Sequence, residues 1–277
     1  VRATLKEREM MFFDALDSND SNVVTGVFVQ TDRVSHMFYR GIDPEHPLFD
    51  ETGSEARNAI HWIYQEADRI LGETMNRMGP NDELMVISDH GFAPFRRAVH
   101  MNQWLADQGL LVLEEGKPES APGFSDVDWS QTRAYAVGLN SIYLNIEGRE
   151  SQGIVRPQET EALKRQIMSS LPDITDPDSG KQIVARVFDG LELYPGNGND
   201  DAPDLVVGYA PGFRASWQTT LGAVPGRLIE DNDRKWSGDH CMDPEAVPGV
   251  LFTSFGPDHS INAISDIAPH VLEHWQH

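Results

Sequence analysis

The sequence predicts an α/β fold, a mostly parallel central sheet with helices on both faces. Three observations lead there. Short apolar, β-branched runs recur along the chain, as in strands buried on both faces of a sheet. Longer segments with apolar residues at three- and four-residue steps alternate with them. The 277 residues carry one cysteine, so the core is not held by an intrachain disulfide. A chain of this length buries about 70–75% of its unfolded surface without such staples.

The elements follow in order. Residues 4–17 read as a helix through Leu5, Met10, Phe12, Phe13 and Leu16. The polar run 17–22 (DSNDSN) reads as a turn. Residues 23–31 (VVTGVFVQT) read as a buried strand. A long helix is expected over 54–78, where Ala56, Ile60, Ile63, Ala67, Ile70 and Leu71 repeat. Residues 79–82 (GPND) end it, and 84–88 (LMVIS) form a second buried strand. Strand, helix, strand implies a parallel pair with a right-handed crossover. Residues 101–108 suit a short helix closed by Gly109. Strands are expected at 110–113, 134–137, 142–146, 183–187, 205–209 and 250–255. Helices are expected at 159–171 and 264–275, and 211–225 reads as a loop.

Lys and Arg total 22 against 44 Asp and Glu, a net charge of −22. Only 5 of the 22 basic residues are Lys. Such a chain repels nucleic-acid backbones and anionic lipid surfaces, and no basic stripe offsets this. No apolar run approaches the ~20 residues of a membrane helix. The chain begins at Val1 with no basic segment followed by an apolar stretch, so either a segment was removed or this is a piece of a longer polypeptide.

Three short constellations flank the apolar strands, where ligands bind in open α/β sheets. The first is 31–36 (TDRVSH). Four residues separate Asp32 from His36, which places carboxylate and imidazole on one helical face. An O,N pair of that kind suits a divalent metal; alone, Asp32 reads first as an N-cap. The second is 88–92 (SDHGF), where Asp89 and His90 converge on one ion if the strand breaks sharply at Gly91. The third is 237–241 (SGDHC), whose His240 alone reads first as structural and whose Cys241 reads as a small buried residue. Together, Asp32, His36 and His240 form a two-His, one-carboxylate set, and Asp89 with His90 a second, partial one. Two ions about 4 Å apart suit phosphoryl transfer. They also explain how so acidic a chain holds an anionic substrate.

The order D-x-x-x-H, S-D-H-G-F, G-D-H resembles the alkaline phosphatase superfamily. The closest branch is the type I phosphodiesterase/nucleotide pyrophosphatase one and, within the superfamily, its phosphohydrolase/phosphomutase proteins. Residues 143–155 (YLNIEGRESQGIV), 202–208 (APDLVVG), 216–221 (SWQTTL), 235–241 (KWSGDHC) and 264–272 (ISDIAPHVL) support it, from about residue 20 onward. The resemblance implies an alkaline-phosphatase-like sheet in one catalytic domain over 1–277, incomplete at its N-terminus, with a cap or insert at 110–235. It implies metal-dependent hydrolysis of a phosphodiester or phosphomonoester. One divalent ion would sit on Asp32, His36 and His240 and the other on Asp89 and His90, with Zn²⁺ the first choice and Mn²⁺ the second. A Thr or Ser nucleophile and a further Asp are implied upstream of residue 23, where no matching strand and hydroxyl are found. Thr31, Ser35, Ser88 and Ser237 do not stand where that nucleophile belongs. The chain alone is therefore expected to turn over little or no substrate.

Arg96, Arg97 and Lys235 are candidate phosphate contacts, with surface arginines as the plainer reading. Trp236 reads first as a packing residue. The substrate class is a small phosphate ester, with no nucleic-acid polymer and no membrane as partner; the oligomeric state is not readable. The single cysteine fits the cytoplasm. Two alternatives stay open: a phosphomutase or sulfatase-like transferase on the same fold, and a metal-binding module without catalysis.

Overall fold

The computed structural model describes residues 1–18, 21–196, 201–256 and 261–275. Asn19 and Asp20, inside the expected polar turn, lie outside them, as do Gln276 and His277. The described residues form two compact units, of residues 1–34, 60–91 and 248–277 and of residues 35–59 and 92–247. No helix among them is long and apolar enough to cross a membrane.

In the first unit, α1 (Arg2–Ser18) lies against α4 (Ala59–Met75). Glu9 accepts both terminal nitrogens of Arg69 at 2.8 Å. Arg77 pairs with Asp17 at 3.2 Å and covers the Phe13 ring at 4.2 Å. The buried positions of α4, Ile63, Ile70 and Thr74, share one helical face. Helix α1 buries only Leu5, so its seam with α4 is largely ionic and aromatic. Strands β1 (Met85–Ile87) and β10 (Leu251–Thr253) pair antiparallel, Val86 opposite Phe252. Helix α9 (Ile267–Trp275) follows one 3₁₀ turn.

Two expectations fail in this unit. Residues 23–28 form no strand; α2 (Gln30–Phe38) starts instead at Gln30. Val23 and Val27 are exposed, whereas a strand buried on both faces would hide them. The preference of β-branched residues for strands is realised only against a ladder partner, and none among the described residues faces this run. The parallel pair expected from 84–88 is also absent, since β1 pairs only with the antiparallel β10 among the described strands.

The second unit holds two four-stranded sheets and the larger core. One sheet has the order β7–β2–β8, with β9 also on β2; the other runs β3–β4–β6–β5. The strands are β2 (Ala93–Val99), β3 (Ala134–Val137), β4 (Ser141–Leu144), β5 (Val184–Asp189), β6 (Leu205–Tyr209), β7 (Gly212–Ala215), β8 (Ile229–Asp231) and β9 (Gly238–Asp239). Among the described strands only β2 and β7 run parallel; every other pair is antiparallel. The expected mostly parallel sheet is thus corrected to a mixed α/β fold with largely antiparallel sheets. The reason lies in the burial pattern: β3 and β4 alternate buried and half-buried residues, as a one-sided antiparallel ladder does. Leu163 and Ile167 of α6 (Thr160–Ser170) and Leu171 beyond it complete the core with Ile142, Leu144 and Leu205.

Shorter helices complete the unit: α3 (Ser54–Arg57), α5 (Met101–Asp107), α7 (Gly190–Leu193) and α8 (Trp217–Thr220). Asn102 ties α5 to β3, donating to Ala136 O at 2.8 Å and accepting its N–H at 2.7 Å. Residues 110–113 form one isolated bridge rather than a strand. The expected loop 211–225 contains β7 and α8, whose cap Ser216 accepts the Thr219 N–H at 2.9 Å. Residues 110–235, read as a cap or insert, fall within this unit.

Candidate metal centre

Helix α2 carries the first two candidate ligands. Asp32 lies in its first turn, where a carboxylate also suits the helix dipole, and His36 lies one turn on. The shared face read from the sequence is therefore real. The helix is continuous from Asp32 to His36, so the helix itself sets one against the other.

The third candidate, His240, comes from the chain after β9. Ser237 N donates to His36 O at 2.7 Å, and Arg40 N donates to Ser237 Oγ at 3.0 Å. Gly238 is needed for this approach. A Cβ there would lie 2.7 Å from Ser35 O and 2.7 Å from Tyr39 Cβ. The glycine read as part of a G-D-H motif thus has a packing reason.

His36 and His240, both in the second unit, stand with ring centroids 5.1 Å apart, and Asp32 lies one turn before His36 on the same helix. His36 Nδ1 lies 2.8 Å from Gly238 O. A carbonyl only accepts, so Nδ1 carries the proton and the lone pair of the neutral ring falls on Nε2. That tautomer is the one a metal ligand requires, with its other nitrogen held by a backbone carbonyl. His36 is buried, and Asp32 and His240 are half-buried. Trp236 stacks on His36 with centroids 3.8 Å apart and planes at 29°. Phe92 meets His36 edge-on at 4.7 Å and His240 at 5.4 Å. Trp236, expected to be a packing residue, packs on the site itself.

Asp239, His240 and Cys241 form a second group that shares His240. The chemistry of Asp239 speaks against its ligand role. Its Oδ1 accepts the amides of His240 at 2.8 Å and Cys241 at 2.9 Å. Its Oδ2 accepts the Trp236 indole N–H at 2.8 Å and faces Arg214 Nε at 2.8 Å. The Arg214 contact lies off the hydrogen-bond line and acts as an ion pair. Two oxygens with about four lone-pair sites are thereby occupied. Burial pushes the Asp239 carboxyl up; Arg214, the Cys241 amide, the Trp236 N–H and His36 outweigh it and hold it below its ordinary value. Burial and the Asp239 charge push the Cys241 thiol up to about 12, so it stays a neutral thiol.

The other expected site residues stand elsewhere. Asp89 and His90 follow β1 in the first unit, Asp89 exposed and His90 half-buried. Asp89 Oδ2 lies 3.6 Å from His90 Nε2, and neither joins a group of three ligands among the described residues. Arg96 holds Asp43 through Nε and a terminal nitrogen, both at 2.7 Å, and also meets Glu45. Arg97 meets Asp178 at 2.6 Å, Asp231 at 3.3 Å and Asp176 at 3.5 Å. Both guanidiniums are thus engaged by this chain's own carboxylates. Lys235 is exposed, and its carbonyl accepts from Arg40 at 2.6 Å. Arg214 and Asp239 were not foreseen; the G-D-H motif was the only trace of Asp239.

Fold and site define a mixed α/β protein with a cluster of potential divalent-metal ligands. The family model for type I phosphodiesterase / nucleotide pyrophosphatase matches residues 2–236. The chain belongs to this family, a part of the alkaline phosphatase superfamily, whose chemistry is the hydrolysis of phosphate esters. No curated protein matches the chain.

Proposed function

We propose that Asp32, His36 and His240 bind one divalent cation and that this site serves the hydrolysis of a small phosphate ester. The observation that carries the reading is the pairing of the His36 and His240 rings, centroids 5.1 Å apart, with His36 Nδ1 committed to Gly238 O and Asp32 one turn before His36 on the same helix. Two imidazoles and a carboxylate, with no thiolate, fit Zn²⁺ first and Mn²⁺ second. A bound divalent ion supplies positive charge and Lewis acidity at the phosphoryl oxygens. The chain's residues do the rest: Gly238 O keeps the Nδ1 proton in place, and Trp236 and Phe92 shield the imidazoles. Asp89 and His90 remain the proposed ligands of a second ion. With a net charge of −22, an anionic substrate depends on such local cations.

Calorimetric titration of residues 1–277 with Zn²⁺ and Mn²⁺ tests the reading. His36→Ala, His240→Ala and Asp32→Asn are each expected to weaken binding at least tenfold. Cys241→Ala is expected to leave it unchanged. Equal affinity in wild type and His240→Ala refutes the ligand set. Loss of affinity in Cys241→Ala transfers the ion to the Asp239–His240–Cys241 group. Any turnover of a nitrophenyl phosphodiester must fall in His36→Ala; turnover that survives separates the reaction from this site.

A further inference from the structure

We infer that Asp239, anchored by the buried Arg214 guanidinium, positions both imidazoles of the metal site and so sets how tightly the ion is held. The inference rests on the metal-site reading above. Neither residue touches the ion in this account; both act through others.

One carboxylate reaches the two imidazoles by separate routes. Through Oδ1 it fixes the amides of His240 and Cys241, which orients the backbone from which the His240 ring projects. Through Oδ2 it fixes the indole N–H of Trp236, and the face of that indole lies 3.8 Å from the His36 ring. His36 is then held on two sides, by the Trp236 face and by the Gly238 carbonyl at Nδ1. The centroids of His36 and His240 stand 5.1 Å apart. A ligand pair at that separation loses affinity when either ring swings, because the ion needs both lone pairs at once.

Arg214 makes this arrangement sustainable. Asp239 is 1% exposed and Arg214 2%. A buried carboxylate needs a buried cation, and the guanidinium lies over the rings of Phe95 at 5.1 Å and of Trp217 at 4.2 Å. Those aromatic faces hold it in the interior at the end of β7. A residue serving general stability alone has no need to place three of its four contacts on the backbone at one imidazole and on the stacking partner of the other.

The test uses the whole 277-residue chain, with Zn²⁺ calorimetry and the visible spectrum of bound Co²⁺ as readouts. Asp239→Asn leaves Arg214 buried without a counter-charge and endangers folding. Two further variants remove that dependence. Arg214→Met/Asp239→Asn deletes both charges together. Trp236→Phe keeps a ring over His36 but deletes the N–H. Residues that orient metal ligands typically govern ~10–100-fold in affinity. The double variant is expected to bind Zn²⁺ ~10–100-fold more weakly and to change the Co²⁺ bands. Trp236→Phe is expected to show the same changes at about tenfold. Circular dichroism confirms folding of each. If both variants fold, bind Zn²⁺ as wild type does and leave the Co²⁺ bands unchanged, the inference is overturned while the ligand set stands. If wild type binds no ion, or binding survives His36→Ala, the metal reading fails and the inference with it.

Discussion

Gly238→Ala should damage the site without altering a single ligand. The added Cβ would lie 2.7 Å from Ser35 O, 2.7 Å from Tyr39 Cβ and 2.7 Å from Tyr39 Cδ2. Ordinary contact begins at 3.4 Å, so β9 and α2 must separate by about 0.7 Å. Ser35 O is backbone and cannot rotate aside. Two hydrogen bonds bridge this seam: Ser237 N to His36 O at 2.7 Å and His36 Nδ1 to Gly238 O at 2.8 Å. Each is worth about 1 kcal/mol, and the overpacking adds about 1–3 kcal/mol. A loss of about 3–5 kcal/mol is expected from urea denaturation followed by circular dichroism. Zn²⁺ affinity should fall with it, because the Nδ1 anchor of His36 is displaced. Gly72→Ala is the control of opposite sign. It lies inside α4 with nothing within 4 Å of the added Cβ, and it should stabilise by about 0.5–1 kcal/mol. Wild-type stability and Zn²⁺ affinity in Gly238→Ala would refute the close-approach argument.

Three further outcomes are expected. His100 is fully buried, neither ring nitrogen has a hydrogen-bond partner among the described residues, and the nearby Glu230 carboxylate stands 3.7 Å away. Burial, helped by Arg227 and opposed by Glu230, holds its pKa below 6.5; His46 is lowered too, by burial, with Arg40 and Arg96 adding to the shift and Asp43 opposing it. As pH falls below 6.5 the unfolded chain takes up these protons first, so stability should fall with pH there and stay level above, and His100→Phe should flatten the slope; an unchanged slope would exclude His100. Arg96→Ala should cost about 2 kcal/mol in urea denaturation, since Asp43, 5% exposed, loses a two-point partner, while Zn²⁺ affinity holds; a stable variant would return Arg96 to the list of free phosphate contacts. Gly153→Ala places a Cβ 1.9 Å from Ile146 O and should cost at least about 1–3 kcal/mol by the same assay; a neutral result would mean that this loop rearranges freely.

What was legible in the sequence is what local backbone geometry carries. The helical period is set by hydrogen bonds four residues apart, so Asp32 and His36 could be placed on one face before any partner was known. The same period located α4 and α6 to within a few residues. Strands are different, because a strand is completed by its neighbour. Residues 23–28 have strand composition and no ladder, whereas residues 93–99 carry Pro94, Arg96 and Arg97 yet form the strand that joins β7, β8 and β9. Direction was misread for the same reason: an apolar run says that a strand is buried, not which way its neighbour points. The site divides along this line. The Asp32–His36 pair needs only a helix. His240 enters because Gly238 lets β9 approach α2, and the glycine was visible although the surface it meets was not. Arg214 and Asp239 lie on separate strands, β7 and β9, which both pair with β2, and no periodicity links residues joined through a third strand. The ligands of a metal site can therefore be read from a chain more readily than the residues that brace them, since ligands bring their own chemistry while a brace is defined by what it touches.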